Sequence, residues 1–169
     1  GTAQHRDGAR RDPAGASLRV RAKPDVSRLL PPSTNAQYAG SPGAPRILAA
    51  LAVLTILPAC IHSFLPDGGA GVIAGLDMAA CRQLVVALFH WAGATQLVFG
   101  IVMLLAAMRY RSFVPLVLLL LLVERGLHAL HFWGGAPPQS GHRPPEHYAL
   151  LVALPLIAYA LRLSLRDRA

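Results

Sequence analysis

Four stretches of the chain are nearly free of charge and run for about twenty residues each: Ile47 to Leu65, Gln83 to Ala107, Ser112 to Trp133 and His147 to Leu165. The runs "LAALAVLTIL" and "LVLLLLLV" inside them offer no polar face at all. A helix of a soluble bundle needs such a face. A helix that crosses the hydrocarbon of a bilayer needs only about 20 predominantly apolar residues. Backbone polar groups find no water in lipid, so stretches of this kind must be helical, and the alternation expected of a barrel strand is missing. The pattern predicts an all-α protein: a four-helix transmembrane bundle with spans at about 47–65, 83–107, 112–133 and 147–165.

Of the 169 residues, 54% are hydrophobic and 14% charged, outside the usual soluble composition. A net charge of +8 would suit nucleic acid if it were gathered on one surface. Instead, much of it lies in residues 1–46 and most of the rest flanks apolar stretches, so the expected partner is the lipid bilayer and not nucleic acid. Arg46 precedes the first span, Arg109 and Arg111 join the second to the third, and Arg162, Arg166 and Arg168 close the chain. By the positive-inside rule both termini and the "MRYRS" turn are expected to be cytoplasmic, with the two longer loops outside. Residues 1–45 mix Pro, Gly, Ala and Arg without apolar periodicity and are expected to form a disordered basic tail. The sequence opens on Gly1 and has no Met before Met78, so the natural start is expected to lie elsewhere.

Depth and facing follow from about 1.5 Å of rise and about 100° of turn per residue. The third span runs outward, which puts His131 near the outer boundary, His128 roughly 7 Å below it and Glu124 roughly 13 Å below. Steps of four and seven align these three in one stripe, with Arg125 about 100° away. In the second span His90 reaches a similar depth on a face with Gln83, Ala87 and Ala94, beside Gly93. Small residues let membrane helices approach, so this face is expected to pack, as is Trp91. His62 lies near the outer end of the first span, and His147 opens the fourth.

A charged residue at mid-membrane costs roughly 2.5–3.5 kcal/mol on insertion scales and usually faces the bundle interior. The cluster is therefore the candidate site, with Glu124 as acid/base or as an acceptor that orients an imidazole, His90 and His128 as its nearest partners, and His62 and His131 closer to the surface. Imidazoles from different helices at one level suit a metal ion, with His90 and His128 as ligands, or a haem. A proton relay or quinone-headgroup pocket would use the same residues, since histidine titrates near neutral pH and burial raises carboxylates toward it. The structural alternative is that Glu124 pairs with Arg125 or a histidine and only fixes helix packing. His142, Arg143 and His147 form either a lid over the cluster or part of a solvated turn. Cys60 and Cys81 differ in depth, so a bridge between them would need local bending, and both a disulfide and two free thiols stay open.

The segment "GATQLVFGIVMLL", Gly93 to Leu105, followed by an arginine-bearing turn and a span containing "ERG", resembles the small four-span bacterial membrane proteins grouped around DoxX. In layout the resemblance covers about the last 120 residues. It implies a four-helix inner-membrane bundle, and some of those proteins are linked with quinone-coupled redox chemistry. Two functions follow as expectations: an intramembrane Glu/His site for a redox cofactor, quinone or proton, or a non-catalytic membrane subunit or scaffold that joins a membrane partner or its own copies.

Overall fold

The computed structural model describes residues 29–135 and 143–166. Among them the chain is all-helical, with α1 at Gly43–Phe64, α2 at Arg82–Met108, α3 at Val114–Gly134 and α4 at Pro145–Ser164, and short 3-10 turns at Asn35–Gln37 and Arg111–Phe113. Each of the four α-helices is long and apolar enough to cross a membrane. Only 22–28% of the most apolar stretch of each is buried within the protein. Most large apolar side chains, Leu54, Leu57, Val98, Leu120 and Val152 among them, therefore project outward. In water that surface would favour aggregation, and in lipid it is solvated. The architecture is that of a multi-pass integral membrane protein.

α1 packs mainly on α2, α3 on α4, and α1 on α4, while α2 and α3 share little contact. Gly93 and Gly100 set the α1–α2 seam. A Cβ added at Gly93 would lie 2.7 Å from His62 Cβ and 2.9 Å from its backbone carbon, and one at Gly100 would lie 2.6 Å from Ile56 Cγ1. Between helices in lipid there is no hydrophobic drive, and such missing side chains let backbones approach for dispersion contact. The packing face of α2 accordingly runs through Gly93, Gly100, Met103 and Ala107, all buried. Gln83, Ala87 and Ala94, expected on that face, are exposed, and Trp91, expected to pack, is 71% exposed. Two glycines seven residues apart outweigh the alanines, because only they allow backbone contact.

The apolar core, built from Leu48, Met103, Val114, Leu118, Leu121 and Ile157 among others, occupies one end of the bundle, where α1 and α3 begin and α2 and α4 finish. Arg46, Arg109, Arg111, Arg162 and Arg166 belong to this basic end. Within the segment expected to be a tail, residues 33–41 are bound to it. The last carbonyls of a helix have no intrahelical partner, and here the segment supplies donors. Met108 O accepts from Asn35 Nδ2 at 2.8 Å and Arg109 O from Ser33 Oγ at 2.9 Å. Thr34 N donates to Arg109 O at 3.1 Å and Ser41 N to Leu163 O at 3.2 Å. Gly40 sits so close to Ser164 O that a Cβ would collide with it. The polar run "STNAQ" thus caps the end of α2, and Gly40 and Ser41 carry the strap on to the end of α4.

Candidate functional site: a carboxylate, arginine and histidine cluster between α3 and α4

Away from the basic end the helix pairs are held differently. On α3, Glu124 and His128 are one turn apart, and His128 Nδ1 lies 3.4 Å from Glu124 Oε1. Arg125 folds back, with Nε 3.1 Å from Glu124 Oε2, while its Nη1 donates to Glu146 Oε1 of α4 at 2.9 Å. One guanidinium therefore serves two carboxylates and crosses the α3–α4 boundary. Its side chain is only 13% exposed, against 34% for Glu124 and 42% for Glu146. Helix spacing alone put Arg125 off the Glu124 stripe, yet its long planar fork reaches around the helix.

Aromatic and cationic contacts continue the cluster outward. The Phe132 ring stacks on buried His147 with centroids 4.0 Å apart, and Trp133 Nε1 donates to His147 O at 3.2 Å. Arg143 donates to Phe132 O near the end of α3, a favourable place for a cation at a helix C-terminus, and its guanidinium lies 4.6 Å from the Trp133 ring centroid. Arg143 and His147, expected as a lid or a solvated turn, instead pack on Phe132 and Trp133; His142 lies outside the described residues. His131 is exposed.

His62 and His90 belong to another setting. The α1–α2 connection turns sharply through Gly68 and Gly69, both at positive φ (61° and 77°), which glycine adopts without steric cost. His62 Nδ1 donates to Gly68 O at 2.7 Å and His90 Nε2 to Leu65 O at 3.2 Å, carbonyls that can only accept, which fixes the donor nitrogen of each ring. The His62 ring also meets Phe89 edge-on at 5.2 Å. Asp67 Oδ1 accepts from Gly69 N, and Oδ2 from Gly71 N and Val72 N, at 2.9–3.1 Å. The amides of Val72 and Gly69 foremost, then that of Gly71, hold the Asp67 carboxyl below the usual carboxylate range by bonding its charged form. "PDGG" carried that turn signal in the sequence.

The structure thus joins Glu124 to His128 and brings His62 and His90 to one loop. No hydrogen bond, ion pair or ring contact among the described residues links His90 to His128. Nor do three His, Cys, Asp or Glu side chains among them gather around a metal position. Cys60 and Cys81 are free thiols. Two atoms of the α3 cluster, Glu124 Oε2 and His128 Nδ1, are buried without a hydrogen-bond partner despite their close neighbours. No protein-family model, curated protein or solved structure matches the chain.

Proposed function

We propose that this chain is a small multi-pass subunit of a bacterial inner membrane, with both termini cytoplasmic, and that its intramembrane cluster serves first to lock α3 onto α4 so that the bundle can act as a scaffold. The observation that carries this reading is the Arg125 bridge from Glu124 to Glu146. An ionised group is expensive in lipid unless paired, and pairing across two helices fixes their register. The cytoplasmic assignment rests on the arginines gathered at the strap end, by the positive-inside rule. The DoxX-like resemblance belongs to the same proposal and bears on the layout of the spans.

The approach of His128 to Glu124 on one face of α3, with His128 Nδ1 buried and short of a hydrogen bond, favours a second reading. A carboxylate and an imidazole side by side can pass a proton or meet a quinone headgroup. Optical and elemental analysis of purified protein separates the two. The scaffold reading expects no stoichiometric chromophore or metal, with Glu124→Gln lowering stability alone. A haem, metal or quinone that is lost in Glu124→Gln or His128→Ala overturns it. Orientation is read from Cys81, which is exposed: a membrane-impermeant maleimide added to spheroplasts labels it if the long loops face outward, and labelling only after lysis reverses the assignment.

A further inference from the structure

On the side of α3 turned away from the Glu124 cluster, Val123, Gly126, Leu127, Leu130 and Trp133, with Leu154 of α4, line an open groove of about 700 Å³. Its floor is low because Gly126 has no side chain and nothing stands within 4 Å of where a Cβ would be. One wall is Trp133, and over that ring sits the Arg143 guanidinium. Arg125 takes both nearby carboxylates, and no ion pair among the described residues engages Arg143. The Trp133 wall of the groove thus carries on its ring a guanidinium that donates to Phe132 O and that no carboxylate among the described residues pairs with.

We propose that the groove and Arg143 together bind one anionic phospholipid, an acyl chain lying along α3 over Gly126 and the phosphate meeting the guanidinium. The chemistry matches at both ends. The lining gives a chain dispersion contact without a polar group to desolvate, and arginine's fork suits phosphate geometry. A net negative headgroup is preferred because a zwitterionic one brings its own ammonium to the phosphate. A second copy of the chain fits less well: two copies inserted in the same sense and related by a two-fold axis along the membrane normal bring Arg143 against Arg143.

The site rests on the membrane placement of α3 and α4, so placement is measured separately. Membranes are washed with alkaline carbonate, and the purified protein in micelles is offered equal phosphatidylglycerol and phosphatidylethanolamine, with bound lipid counted by native mass spectrometry. The wild type should carry a single phosphatidylglycerol in preference to phosphatidylethanolamine. Gly126→Leu, at a position where an added Cβ meets nothing within 4 Å, puts a side chain into the groove and should abolish the adduct. Arg143→Gln should reduce the headgroup preference about fivefold, the effect of one basic side chain at a charged lipid surface. Ala94→Leu, on an exposed part of α2, should change nothing. Release of the wild type by carbonate overturns the membrane reading and the site with it. Retention in the membrane with equal adducts in wild type and Gly126→Leu, with no headgroup preference in the wild type, or with a dimer that Gly126→Leu dissolves, overturns the site alone.

Discussion

Substituting alanine for Gly93 tests whether the α1–α2 seam depends on backbone approach. The new Cβ would stand 2.7 Å from His62 Cβ, 2.8 Å from Ser63 Oγ and 2.9 Å from the His62 backbone carbon. Rotating a side chain relieves only the Ser63 contact. To restore 3.4 Å to His62 Cβ, α1 and α2 must part by roughly 0.7 Å, and a gap of that size forfeits a quarter to a half of each dispersion contact along the seam. Overpacking of this kind costs about 1–3 kcal/mol, against which alanine gains about 1 kcal/mol of helix propensity over glycine. Gly126→Ala has the same propensity gain and meets nothing within 4 Å. The difference between the two variants isolates the clash, at about 1–3 kcal/mol in favour of Gly126→Ala. Thermal unfolding in one detergent should separate their midpoints by roughly 4–8 °C if the clash is near 2 kcal/mol. A Gly93→Ala protein as stable as Gly126→Ala would refute the close seam, and with it the description of α2's packing face.

Two further outcomes follow. Arg125→Gln leaves Glu124 and Glu146 without their shared cation and should destabilise by about 1–3 kcal/mol, less than for a fully buried pair because both carboxylates keep some exposure; a double-mutant cycle of Arg125→Gln with Glu146→Gln should show coupling of about 0.5–1 kcal/mol, and zero coupling would remove the bridge from the account. For Asp67, whose folded carboxyl titrates below its unfolded value, the stabilisation of the loop is fully present above the unfolded pKa of about 3.9 and is lost only as pH falls through the lower folded one. Amide exchange at Gly69, Gly71 and Val72, corrected for intrinsic rates, should be unchanged from pH 8 to pH 5 and rise in Asp67→Ala; a loss of protection between pH 7 and pH 5 would contradict the assignment.

The number and extent of the helices were legible because continuous apolar runs in lipid have one solution. The expected span from 83 to 107 and the observed α2 at Arg82–Met108 differ by a residue at each end. Rotation about each axis was harder to read. A lipid-facing surface is as apolar as a packed one, so Ala87 and Ala94 carried no sign distinguishing them from Gly93 and Gly100. Histidine roles were harder still. His62 and His90 find backbone carbonyls of a loop, and such partners leave no trace in side-chain spacing. The strap at residues 33–41 looked like the rest of a Pro- and Gly-rich segment, although its Ser, Thr and Asn side chains are the types that bond exposed backbone groups.

The two ends of the bundle use different devices for one problem. Lipid gives helices no hydrophobic reason to associate, so each seam must supply its own specificity. At the basic end the apolar core and the strap's hydrogen bonds converge and arginines can reach water, while the glycine seam runs from Gly100 at mid-bundle to Gly93 beside the far end of α1. Toward the other end the core thins out, and α3 meets α4 through charge and stacked rings. There, the Arg125 guanidinium reaches carboxylates on both helices. One guanidinium held by carboxylates on both helices thus does at this end what close packing does at the other, giving the α3–α4 seam a specific partner.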